Sequence, residues 1–183
     1  AFGGPQIAVT GEPAGCKIFK IDNTDIEWYF KATEFDAATQ FRCFDMNTVR
    51  DYFKSSGELK VFFDHFPKRT NYANFKKDNA IMINVWDWAP DWKIKVTENG
   101  KELEVVRKKA ENPQYMLSYE VPKSLWMLDL GSESRKKKVR HPHMFHAVAS
   151  SPTSTVEVTV TDSFGNIYHQ TMERPKPFSV NIK

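Results

Sequence analysis

Apolar and polar positions alternate with period two along most of the chain, the pattern of strands that cover one face and leave the other to water. CKIFKI (16–21) and IEWYFKAT (26–33), joined by the turn-rich DNTD, predict a hairpin, and FRCF (41–44) predicts a third strand. NTVRDYFKSS (47–56) breaks the alternation. Its Val49, Tyr52 and Phe53 fall at i, i+3 and i+4 on one helical face, with Asp45 or Asn47 as cap and Gly57 as stop. This is the one short helix the pattern predicts.

From residue 58 onward the reading is β again. LKVFFDHF (59–66) predicts a strand, PKRTNYANFKKD (67–78) a polar connection, and AIMINVWDW (80–88) a strand that stops at Pro90. WKIKVT and ELEVV flank Asn99-Gly100, a pair suited to the positive φ angles of a type I′ turn. Trp92, Ile94 and Val96 then share one face, with Lys93, Lys95 and Thr97 on the other. MLSYEV and SLWMLDL form a less regular middle. MFHAVAS follows, then a second hairpin of TVEVTVT, DSFGN and IYHQTM, and FSVNI (178–182) predicts a closing strand.

Several short alternating strands without a strand-helix rhythm predict a mainly β fold: an antiparallel β-sandwich of immunoglobulin or fibronectin type, with an N-terminal hairpin extension. Residues 1–15, rich in Gly and Pro, read as an irregular lead-in from an upstream domain, and residues 16–183 as the β-rich domain. With 183 residues the chain can bury a core without metal or disulfide staples. Apolar residues at 40% and aromatics at 14% exclude disorder. A net charge of +3 spread along the chain leaves no nucleic-acid footprint. No apolar run approaches the roughly 20 residues needed to span a bilayer, and the first residues lack the pattern of a signal peptide, so an export signal would lie upstream. Cys16 and Cys43, the only cysteines, could be bridged if their strands are neighbours, but two buried free thiols are the expectation.

Candidate chemistry is sparse. There is no phosphate loop, nucleophile elbow, H-E-x-x-H or C-x-x-C. His141, His143 and His146 approach a metal spacing, but on a strand His146 points away from the other two, Pro142 interrupts, and no carboxylate or thiolate lies nearby in sequence. A loop entering a strand is the favoured reading. Arg135, Lys136, Lys137, Lys138 and Arg140 form the one dense basic run, either an anion-binding surface or a solvated loop; it lacks the aromatics on which bases would stack. Trp86, Trp88 and Trp92 are either a sugar-stacking platform or core. Apolar residues on both faces of 80–88 favour a central strand and hence core. A hydrolytic site assembled from Asp64, His65 and Asp87 is the weakest alternative, because adjacent residues on a strand point to opposite faces.

Three blocks in this order, GEPAGCKIFKIDNTDIEWYFKATEFDAATQFRCFDMNTV, INVWDWAPDWKIKVTENGKEL and MFHAVASSPTSTVEVTVTDSFGNIYHQTMERPKPFS, resemble the C-terminal domain of bacterial calcineurin-like phosphoesterases, from about Gly11 to the end. The resemblance implies a chain with a small N-terminal β domain, a two-metal catalytic domain and this C-terminal domain. The catalytic signatures D-x-H, G-D, G-N-H and G-H-x-H do not occur here; Gly165-Asn166 is followed by Ile167. The implied role is therefore a non-catalytic accessory domain with no catalytic residue and no cofactor of its own, the divalent metal pair belonging to the catalytic domain. Its implied partner is that domain, on which the first hairpin would pack, and a hairpin edge left open could instead pair two copies. A periplasmic or secreted location is implied too. The runner-up is an independent carbohydrate- or surface-binding sandwich.

Overall fold

The computed structural model describes residues 7–131 and 140–180. Among the described residues, ten strands form three antiparallel sheets. A two-stranded ribbon consists of β1 (Gly15–Asp22) and β2 (Asp25–Ala32). One four-stranded sheet has the order β3 (Phe41–Asp45), β4 (Ala80–Val85), β8 (Met144–Val148), β7 (Val106–Arg107); the other runs β10 (Ile167–Met172), β9 (Val156–Thr161), β5 (Lys93–Glu98), β6 (Lys101–Leu103). The two larger sheets face one another across a shared core. Phe41, Cys43, Ile81, Ile83, Val85, Phe145 and Ala147 meet Val96, Val156, Val158, Val160, Tyr168 and Met172. Asn99 and Gly100 both take positive φ, at 50° and 76°, in the β5–β6 turn.

The sheet containing β4 is covered on both faces. Its other side, through Phe44, Ala80, Met82 and Met144, packs on a helical layer, so every residue of β4 is buried. The expected helix is α1 (Met46–Ser55), capped by Asp45, whose side chain accepts from the Asn47 N–H. Residues 59–66, read above as a strand, fall in α2 (Gly57–His65) and its C-cap Phe66 instead. Leu59, Phe62 and Phe66 also satisfy helical spacing, and Ser56 caps the helix, so Gly57 opens a helix rather than ending one. Leu59 and Phe62 are buried while Val61, which a strand would have turned inward with Leu59, is exposed. The middle stretch is helical as well: α3 (Pro113–Tyr115), capped by Asn112, continues through a π-helical turn (Met116–Glu120) into α4 (Val121–Asp129). Pro113 stands at the first position of α3, where the missing N–H costs little, whereas Pro122 falls where the π-helical turn passes into α4.

Residues 178–180 are not a strand. Phe178 is drawn onto α1 and β3, with its ring 5.2 Å from Tyr52 and 6.2 Å from Phe44. Both cysteines are free; Cys43 is buried, but Cys16 is exposed because nothing covers its strand. Before β1, the segment from Ile7 folds back on itself. Ile7 bridges to Pro13 and Gly11 takes φ +88°. A Cβ on Gly11 would stand 2.1 Å from Asn84 Oδ1 and 2.2 Å from Asn112 Nδ2, so only glycine fits against this buried amide pair.

Candidate interaction surface

The β1–β2 ribbon projects from the sandwich. Its register places Lys17, Phe19 and Ile21 opposite Phe30, Trp28 and Ile26, so these six side chains share one face. The inner part of that face is anchored. Trp28 meets Phe164 edge-on at 4.7 Å, Phe30 approaches Trp86 at 6.3 Å, and Lys17 Nζ pairs with Asp87 at 2.9 Å. The outer part is not: Phe19, Ile21 and Ile26 are 56%, 69% and 51% exposed. Apolar side chains on a two-stranded ribbon, with no third strand or covering layer, form the most evident unpartnered apolar patch among the described residues.

At the ribbon's base an ionisable cluster borders a cavity of about 680 Å³ lined by Thr10, Glu12, Cys16, Lys17, Asp87 and His143. Glu12 Oε1 lies 2.9 Å from His143 Nδ1, and the Glu12 carboxylate also accepts from the Thr10 hydroxyl and the Asp87 N–H. Burial opposes ionisation of Glu12, but the bonds from His143 and Thr10 outweigh it and hold the carboxyl below its ordinary value. This cluster ties the segment before β1, the turn after β4 and the entry to β8 together.

His141 and His143 are brought near one another, while His146 lies on β8. His141 is buried, its ring 5.8 Å from that of His143. Burial, with His143 beside it, pushes the His141 imidazole down to about 4. His146 is also pushed down to about 4, by burial and by Lys108. Among the described residues no group of three or more His, Cys, Asp or Glu could hold a metal ion. Asp64 and His65 stand on α2, His65 Nδ1 being 3.0 Å from the Val61 carbonyl oxygen, while Asp87 is engaged by Lys17.

Trp86 is fully buried and offers no face to a ligand. Trp88 is partly buried between Phe145, at 5.7 Å, and the Arg107 guanidinium, at 4.5 Å from its ring. Trp92, also partly buried, donates from Nε1 to Ser163 Oγ. The three indoles therefore do not share a platform. Arg135, Lys136, Lys137 and Lys138 lie outside the described residues, and Arg140 is exposed. Glu12, Lys17 and Thr10, central to the cluster, escaped the sequence reading, because the contact between Glu12 and His143 spans 131 residues and has no local signature.

Face-to-face antiparallel sheets, a helical layer and a projecting apolar ribbon define a mainly β fold. No curated protein and no solved structure matches the chain. One family model does, over residues 3–168, and its description is "C terminal of Calcineurin-like phosphoesterase". The chain belongs to that family. No described helix is long and apolar enough to cross a membrane.

Proposed function

We propose that this chain is the non-catalytic accessory domain of a calcineurin-like metallophosphoesterase, and that it docks on the catalytic domain through the β1–β2 ribbon. The observation that carries the reading is the outer ribbon face, Phe19, Ile21 and Ile26, left half exposed or more in a family defined by its position after a phosphoesterase domain. Covering these side chains would contribute on the order of 1–2 kcal/mol each. The cavity at the ribbon's base, with the Lys17–Asp87 ion pair and the Glu12–His143 hydrogen bond, supplies a polar rim to the same surface. The metal pair belongs to the catalytic domain in this reading, and the location is periplasmic or secreted.

The test is binding of this chain to the catalytic domain encoded with it, measured by calorimetry. Replacing Phe19, Ile21 and Ile26 together by Ser weakens binding by roughly 100-fold or more, since every 1.4 kcal/mol is tenfold. Binding unaffected by that triple substitution, or turnover of an aryl phosphate by this chain alone with added divalent metal, would overturn the proposal.

A further inference from the structure

A second cavity, of about 400 Å³, lies on the side of the sandwich away from β4 and β5, where the open edge strands β3 and β10 face the segment Lys176–Ser179. Its size falls in the range of small-molecule sites. Its charge is one-sided. Arg42 and Lys176 both line it, and the only carboxylate lining it among the described residues is Asp45. Asp45 is already saturated: its oxygens accept from Arg174 Nε and Nη2, from the Asn47 N–H and from the Lys176 N–H. Lys176 Nζ donates to the Cys43 carbonyl at 3.0 Å and has no carboxylate partner among the described residues. The Arg42 guanidinium lies 5.4 Å from the Phe35 ring and bonds to Gln114.

Two cations so placed are held at a cost. Burial and the charge of Arg42 depress the Lys176 ammonium, although the Cys43 thiol opposes them, and burial lowers Arg42 to about 10. A bound negative charge would offset the burial of the Lys176 ammonium. Its lining also carries aromatic surface from Phe35 and Phe178, each partly buried. Gln40, fully buried, lines the same cavity. Its Nε2 donates to the Phe30 and Ala37 carbonyls, while its Oε1 has no partner among the described residues. A hydroxyl or a protonated phosphate oxygen would satisfy that acceptor.

We propose that this cavity binds a small organic anion, a phosphate monoester or a carboxylate, with its charged end at Lys176 and Arg42 and its apolar body between Phe35 and Phe178. The site is independent of the ribbon face and does not depend on how the ribbon docks.

The experiment titrates the 183-residue protein with phenyl phosphate, benzoate and the neutral analogue benzyl alcohol at matched ionic strength, reading calorimetric heat and amide chemical shifts. At least one of the two anions binds saturably, the comparison between them identifying the charged group, and the alcohol does not. Shifts concentrate on residues 40–45, 169–170 and 176–179. Lys176→Met stays folded, since it removes a desolvated charge, and weakens anion binding by about tenfold or more, whereas Lys176→Arg retains it. Absence of binding by both anions, equal binding of the alcohol, or shifts centred elsewhere overturns the proposal, as does full affinity in Lys176→Met. Should Lys176→Met fail to fold, the shift map and the alcohol comparison decide.

Discussion

Acid should unfold this domain through two histidines before its carboxylates are titrated. His141 and His146 are each lowered from 6.5 to about 4. A lowered imidazole is held neutral in the folded protein, so between pH 6.5 and 4 the unfolded chain binds up to two more protons than the native one. Stability is then fully present above about pH 7, falls as pH drops through this window, and levels off below it. Lowering the imidazole from 6.5 to about 4 is worth at most about 3 kcal/mol for His141. His141 is only 3% exposed, and His146 is lowered to the same value, so the pair is worth up to roughly 6 kcal/mol, a large part of a domain's typical 5–15 kcal/mol. The charged neighbours act on this balance: for His141, His143 deepens the shift and Glu12 opposes it, while Lys108 deepens that of His146. Glu12 is held below 4.5, so its contribution is present above that value and is lost as pH falls further. Urea denaturation followed by tryptophan fluorescence at pH 7.5, 6, 5 and 4.5 measures the slope. His141→Phe, which also removes two buried nitrogens without a partner among the described residues, should flatten the profile by its share while leaving stability at pH 7.5 nearly unchanged. Equal unfolding free energies at pH 7.5 and 5 would refute the reasoning.

Other outcomes follow from single contacts. Gly11→Ala should cost roughly 2–5 kcal/mol, combining a disfavoured φ with disruption of the Asn84–Asn112 bond, and would show as a lowered urea midpoint. Asp45→Asn, which leaves Arg174 buried without its countercharge, should cost about 3–5 kcal/mol, and adding Arg174→Met should recover part of that loss; independent, additive costs would contradict the pairing. In the native protein one thiol, Cys16, should react rapidly with an aromatic disulfide reagent, and Cys43, buried and pushed up to about 12, only after denaturation. Sedimentation at high concentration should show self-association that is lost on replacing Phe19 and Ile21 by Ser, if the bare ribbon pairs two copies in the absence of its partner.

Strands whose alternation agreed with a turn signal were legible directly from the residues. The Asn99-Gly100 hairpin and the Asp162–Asn166 hairpin form where period and turn chemistry pointed together. Helix α2 was not, because Leu59, Val61 and Phe63 fit period two as well as Leu59, Phe62 and Phe66 fit the helical period, and only the helical layer on the far face of β4 decides between them. That second layer was itself hinted at by apolar residues on both faces of β4. The interaction surface was half legible. The ribbon was visible as a hairpin, but its exposure was not, since Phe19 and Trp28 look alike in sequence and differ only in whether Phe164 is opposite. The pairing of Glu12 with His143, and of Asp45 with Arg174 across 129 residues, has no local trace.

Arg174, the cation clasped by Asp45, lies six residues beyond the stretch the family model matches, which ends at 168, inside β10. A shortened protein trimmed to that boundary would cut an edge strand in the middle and strand a buried carboxylate without its cation. The cooperative folding unit is thus longer than the recognisable one, and any expression design for this domain must carry the tail at least through Lys176, whose amide closes the same carboxylate cage.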